Sequence, residues 1–210
     1  MISGVEALRR LREGNLRFAS DDQEPSMLTS QARRRELAYG QEPFAIVFGC
    51  SDSRVPVEIV FDQGLGDLFV IRVAGNVVAP SQIGSVEFAA HQFGTRLVVV
   101  LGHSKCGAVT ATLEELERPE RSRSPNLRSI VDRIRPAVED LRDTDLHLDP
   151  DALLEHAVRA NIRASANQLR HGSQILEELI ARDGLLVVGA EYSLETGRVD
   201  FFDGIPPEAR

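Results

Sequence analysis

The sequence predicts an α/β domain: a central, mainly parallel four-stranded sheet with an added C-terminal strand, helices on both faces, and an N-terminal helical extension. Four short apolar runs rich in β-branched residues, Phe44–Gly49, Leu68–Val73, Leu97–Gly102 and Leu185–Ala190, read as strands buried on both faces. The segments 81–93, 105–117, 126–142 and 150–182 carry apolar residues at helical spacing. Strands alternating with helices imply parallel pairing through right-handed crossovers, which cover both faces of the sheet.

Residues 3–18 open the chain with Val5, Leu8, Leu11 and Leu16 at helical spacing; the polar stretch Ser20–Pro25 breaks the pattern, and 28–39 is helical again. This arm, residues 1–40, has too few apolar residues for a core of its own and is expected to pack on the main domain or on a partner subunit. Within it, Arg33, Arg34 and Arg35 beside Glu36 read as a solvated face. Residues 41–210 form the α/β core, with Glu117–Asn126 as an exposed loop rich in Arg, Ser and Pro. Near the end, Glu195–Gly197 reads as a turn into a last strand by Phe202, antiparallel at the sheet edge or shared with a second subunit. No internal repeat or linker divides the chain, so 1–210 is read as a single domain. Gly75 and Gly84 read as turn punctuation, because no glycine-rich phosphate-binding pattern surrounds them.

A chain of 210 residues is long enough to bury one good core. No stretch approaches the ~18 consecutive apolar residues of a membrane span, and the N-terminus lacks the pattern of a secretory signal. A cytoplasmic protein without a membrane partner is expected. The net charge of −8 argues against a nucleic-acid partner, since a polyanion needs a basic surface. Arginine is abundant and Lys105 is the only lysine, a bias ascribed to genome composition. The two cysteines, Cys50 and Cys106, do not suggest a disulfide framework in such a chain.

The surroundings of these cysteines carry the chemistry. Cys50 directly follows the first predicted strand, while His103 and Cys106 directly follow the third. Ligands bind at the carboxyl ends of strands in open α/β sheets, so neighbouring strands ~4.8 Å apart would bring both clusters into one crevice. The spacing His103-x-x-Cys106 sets imidazole and thiol about one turn apart. Two thiolates and an imidazole suit zinc, and three protein ligands with an open position is the catalytic arrangement. Glycines at 49, 102 and 107 permit close approach. A buried histidine with two inert thiols is the plainer alternative, and the two strand-end clusters weigh against it.

Asp52 and Arg54 form a second constellation beside the first ligand. Asp52 could close the metal site as a fourth ligand. Alternatively Arg54, a bidentate partner for a carboxylate, holds Asp52 off the metal; water then takes the vacancy, and Asp52 accepts a hydrogen bond from the resulting hydroxide. Two thiolates offset most of the zinc charge, so the bound water should be less acidic than in an all-histidine site, favouring mildly alkaline pH.

The motif C-S-D-S-R-V-P from Cys50, followed by G-H-S-K-C-G from Gly102, resembles the signature of the β-class carbonic anhydrases, with likeness running from about Gly40 to Gly107. The resemblance implies Zn2+ held by Cys50, His103 and Cys106, an Asp52–Arg54 dyad, and reversible hydration of carbon dioxide to bicarbonate. It further implies that Gln41 bonds substrate across a dimer interface, that Phe69 lines the carbon dioxide pocket, and that the Gly107 N–H meets bicarbonate. Phe88 stands where some members carry a pocket tyrosine. Although Arg72 of an inhibitory bicarbonate pocket found in some bacterial members is retained, Val47 replaces its tryptophan, so this allostery is not expected. The family's N-terminal helices embrace a second subunit, so the resemblance places the arm on a partner, in a homodimer or homotetramer.

Two other functions fit the same residues less well. The same site could hydrolyse carbonyl sulfide or carbon disulfide, which no residue favours. A purely structural zinc would need no hydroxide-orienting carboxylate, and Asp52 with Arg54 counts against it. His91, His147, His156 and His171 lack a neighbouring ligand and are given surface or packing roles.

Overall fold

The computed structural model describes residues 2–23, 30–118 and 124–210. Its centre is a five-stranded sheet in the order β2-β1-β3-β4-β5. The strands are β1 (Ala45–Gly49), β2 (Leu68–Arg72), β3 (Leu97–His103), β4 (Leu186–Tyr192) and β5 (Val199–Asp203). The first four pair in parallel and β5 adds antiparallel to β4. The expected sheet is thus observed, with the last strand at the edge. Every residue of β1 and β3 is buried, which accounts for their unbroken apolar runs.

Two apolar layers flank the sheet. One face of β1 and β3, through Ile46, Phe48, Val98 and Val100, packs with α4 (Pro80–Gln92), α5 (Gly107–Glu117), α6 (Pro125–Val138), α7 (Pro150–His171) and α8 (Gln174–Arg182). Proline at the start of α4, α6 and α7 marks where these helices begin, because its missing N–H lies among donors a helix start leaves unbonded. The other face, through Ala45, Val47, Val99 and Leu101, packs against α1 (Gly4–Ala19) and the short α3 (Val57–Val60).

This second layer takes in the first helix of the arm. Helix α1 lies on its own chain's sheet, with Leu8 and Leu11 fully buried. Within the arm, α2 (Gln31–Leu37) has no buried residue; residues 24–29 of the arm lie outside the described residues. Three more differences are local. The 150–182 segment is two helices, divided at Gly172 where Ser173 caps α8 through its hydroxyl. Gly84 stands inside α4 and not in a turn, and α3 lacked enough periodic residues to be foreseen. Half of the Glu117–Asn126 loop, residues 119–123, lies outside the described residues, and its ends, Glu117 and Pro125–Asn126, belong to the flanking helices. Among the described residues, no helix is long and apolar enough to cross a membrane.

The seat of α1 is tight at one point. A Cβ added at Gly14 would overlap the carbonyl oxygen of Phe61. Its neighbour Asn15, almost fully buried, donates to the carbonyls of Val60 (3.1 Å) and Gly197 (2.8 Å) and accepts from the Val199 N–H (2.8 Å). Gly14→Ala sets two effects against each other. Helix propensity favours alanine by about 1 kcal/mol, whereas overpacking costs about 1–3 kcal/mol. A Tm lowered by several degrees is expected in calorimetry, at about 2–4 °C per kcal/mol; a raised Tm would contradict this seating of α1.

Candidate metal centre

Parallel register delivers three ligands to one edge. Gly49 lies opposite both Arg72 and Leu101, so Cys50, just beyond β1, stands level with the end of β3. His103 is the last residue of β3, and Cys106 is the N-cap of α5. All three are buried, and their ligand atoms lie within 4.8 Å of one another.

Each ligand is set by its own contacts. The Cys50 sulfur accepts the Gly75 N–H at 3.3 Å. Gly75 has φ 68°, and a Cβ there would come within 2.8 Å of Ile134, so glycine is required by both conformation and space. The Gly75–Asn76 backbone is held in turn from α7, by Asn161 Nδ2 to the Gly75 carbonyl (2.8 Å) and Ser165 Oγ to the Asn76 carbonyl (2.9 Å). Arg72 donates to the carbonyls of Cys50 (2.9 Å) and Asp52 (2.6 Å), bracing the loop between ligand and dyad.

His103 is fully buried. Its Nδ1 lies 2.9 Å from the Ser104 carbonyl, an acceptor only, so Nδ1 carries the proton and Nε2 the lone pair. Nε2 is buried without a hydrogen-bond partner. A buried acceptor is rarely left unmatched, and here two sulfurs lie beside it. The residues fit a metal: one imidazole nitrogen and two thiolates are a donor set for zinc, with room for a fourth ligand.

The thiols share their proton unequally. Cys50 is pushed down chiefly by the hydrogen bond from Cys106, against burial, with help from His103 and the N–H groups of Asp52 and Gly75. Cys106 is pushed up, first by that same bond to Cys50 and then by burial. Burial opposes charging of His103, yet the Cys50 thiolate carries its pKa above the ordinary value. The pocket therefore already favours a thiolate.

Asp52 and Arg54 form an ion pair. Arg54 Nε and Nη2 donate to the two carboxylate oxygens at 2.9 and 2.7 Å, and the Arg54 backbone N–H adds a third bond at 2.9 Å. These bonds hold the Asp52 carboxyl well below the usual carboxylate range. Asp52 Oδ2 lies 3.8 Å from His103 Nε2. Arg54 Nη2 also donates to the Lys105 carbonyl at 3.3 Å.

Gly107 is the first residue of α5, with open space where a Cβ would stand. Gln41, Phe69 and Phe88 are not brought to the centre within this chain. Gln41 precedes β1 and lines a cavity of about 500 Å³ with Phe44, Gln92 and Thr95. The strand between it and Cys50 spans roughly 16 Å. Phe69 lies opposite Ile46, three residues short of Arg72, and clusters with Phe88 (6.2 Å) and Phe93 (6.0 Å). Val47 is buried in β1. His91 and His156 lie in helices, His171 ends α7, and His147 lies in a 3-10 turn.

Sequence reasoning missed the supports: Arg72 as a brace, Gly75 as a donor, Asn161, Ser165, Ser104 and Glu195. One signal was available. Asn161 and Ser165 are polar residues on the stripe of α7 formed by Ala157, Val158, Ile162, Ala166 and Leu169. Such residues are buried only when bonded.

The fold and site together define an α/β protein with a mainly parallel sheet, a Cys/His/Cys group at its strand ends that could hold a metal, and an ion pair beside it. A family model described as carbonic anhydrase matches residues 45–199. The chain is 39% identical over 202 residues to carbonic anhydrase 2 of Mycobacterium tuberculosis, covering 96% of this chain and 94% of that one. It is 40% identical over 197 residues to a carbonic anhydrase of Mycolicibacterium smegmatis, covering 93% and 92%. Among solved structures, it resembles a tetrameric β-carbonic anhydrase from Sordaria macrospora with TM-score 0.69 and 26% identity, covering 80% of this chain and 85% of that one. The chain belongs to the β-class carbonic anhydrases, and is an enzyme of that family.

Removing a ligand tests the centre. Cys106→Ser and His103→Ala are expected to lower zinc content well below one ion per chain after dialysis against a weak chelator, as read by metal analysis. Arg54→Ala should retain full zinc, because its guanidinium touches Asp52 and a backbone carbonyl but no ligand atom.

Proposed function

We propose that this protein catalyses the reversible hydration of carbon dioxide to bicarbonate and a proton, at zinc held by Cys50, His103 and Cys106. The observation that carries the reading is the paired Asp52–Arg54, with Asp52 Oδ2 3.8 Å from the lone-pair nitrogen of His103. A zinc ion supplies a Lewis acid that makes a water molecule acidic, less so with two thiolate ligands than with three imidazoles, which favours mildly alkaline pH.

The chain's residues supply the rest. Asp52, kept ionised by Arg54, is an acceptor only and orients the attacking water through its proton. With both carboxylate oxygens engaged by Arg54, Asp52 is held from taking the fourth position itself. The Gly107 N–H, at the start of α5, offers a donor to a bicarbonate oxygen.

The reading includes a homodimer or homotetramer in which Gln41, Phe69 and Phe88 serve a partner's site. Their distance from the chain's own centre and the tetrameric Sordaria relative support this. Engagement of Arg72 with two carbonyls and the absence of tryptophan support an enzyme without an inhibitory bicarbonate pocket. Two free cysteines serving as ligands suit the reducing cytoplasm.

Stopped-flow hydration of carbon dioxide tests the reading. Asp52→Ala is expected to keep its zinc and lose about 100-fold in kcat/KM, the scale of a lost proton-handling group. Unchanged turnover in that variant would remove Asp52 from the mechanism.

A further inference from the structure

A carboxylate remote in sequence from the metal motifs reaches the ligand loop. Glu195, in the turn between β4 and β5, accepts the Ser104 hydroxyl at 2.9 Å and pairs with Lys105 Nζ at 2.6 Å. Ser104 and Lys105 are the two residues between the ligands His103 and Cys106. The clasp is closed on its far side by the Leu194 N–H to Ser104 Oγ (3.0 Å) and the Ser104 N–H to the Tyr192 carbonyl (2.9 Å). Lys105 has φ 54°, a left-handed conformation that side-chain-bearing residues rarely adopt. That conformation goes with a definite direction of its carbonyl, and the carbonyl accepts from Arg54 Nη2 at 3.3 Å. The same nitrogen gives a bond to Asp52 Oδ2 at 2.7 Å. Its two hydrogens thus serve one acceptor each, which fixes the plane of the guanidinium. The turn itself is bolted to α1, since Asn15 bonds the Gly197 carbonyl and the Val199 N–H.

We propose that Glu195 is a positioning residue for the dyad: by clasping Ser104 and Lys105 it holds the Lys105 carbonyl against Arg54, and so biases Asp52 toward Arg54 and away from the fourth metal position. This rests on the role given to Asp52 above. Lys105 and Glu195 are 67% and 47% exposed, and exposed ion pairs contribute little to stability. The expected signature is therefore altered site geometry at unchanged Tm.

The test uses the full chain loaded with zinc or cobalt, as Glu195→Ala, Glu195→Gln and Lys105→Met. Zinc content and Tm should match the parent. In Glu195→Ala, kcat/KM and the affinity for thiocyanate, a probe of the fourth position, should each fall about 10-fold, the scale of losing a ligand's outer support. The cobalt absorption spectrum should shift toward a carboxylate-closed centre. Lys105→Met should move in the same direction, and Glu195→Gln, which still accepts from Ser104, should recover part of the loss. In an Asp52→Ala background, Glu195→Ala should change neither the spectrum nor thiocyanate affinity.

Parent-like spectra and thiocyanate affinity in Glu195→Ala would overturn the proposal. So would an undiminished effect in the Asp52→Ala background, or loss of zinc with a lowered Tm, either of which would place Glu195 in support of the ligands alone. Spectrum and thiocyanate binding report where Asp52 sits whether or not carbon dioxide is the substrate, so failure of the clasp and failure of the functional reading are distinguishable.

Discussion

The parallel pairing of β1 with β3 is the constraint on which the rest depends. Cys50 and His103 are far apart in sequence, and only the register that sets Gly49 opposite Leu101 brings them to the same sheet edge. Both strands are buried on both faces, so a one-residue slip would turn every side chain into the wrong layer. Packing thereby specifies register, and register brings the two sulfurs and the imidazole together. The start of α5 completes the group, because Cys106 is the N-cap residue that begins that helix.

Around that convergence, buried polar side chains are spent on backbone groups. Asn161 and Ser165 hold the loop whose N–H meets the Cys50 sulfur; Asn15 holds the short α3 and the last turn; Arg72 holds the two carbonyls between Cys50 and Asp52. A buried side chain that satisfies a loop carbonyl removes freedom exactly where ligand placement needs it, if only because breaking such a bond leaves the carbonyl unmatched. Against these matched groups, His103 Nε2, beside the two sulfurs, and Asn76 Nδ2 in the neighbouring loop are buried without a hydrogen-bond partner.

Within one chain, Cys50, His103, Cys106 and the Asp52–Arg54 pair meet, whereas the aromatic and glutamine side chains that the family resemblance assigns to substrate lie elsewhere. Gln41 and Phe69 belong to the amino half of the sheet, whereas the centre lies at its carboxyl edge. The N-terminal arm is divided as well. Helix α1 is part of the chain's own core, and α2 stays on the surface with none of its residues buried.

By itself, the sequence determined the strands, the alternating helices, the convergence of Cys50, His103 and Cys106 at the strand ends, and the Asp52–Arg54 pair. These are local signals: apolar runs, helical spacing, and reactive residues placed directly after strands. Tertiary structure alone decided where α1 packs, that Arg72 braces the ligand loop, that Gly75 donates to a sulfur, and that Glu195 reaches Ser104 and Lys105 across about 90 residues. Those facts depend on which backbone groups become neighbours once the sheet closes, and periodicity along one chain carries no record of distances between segments remote from one another.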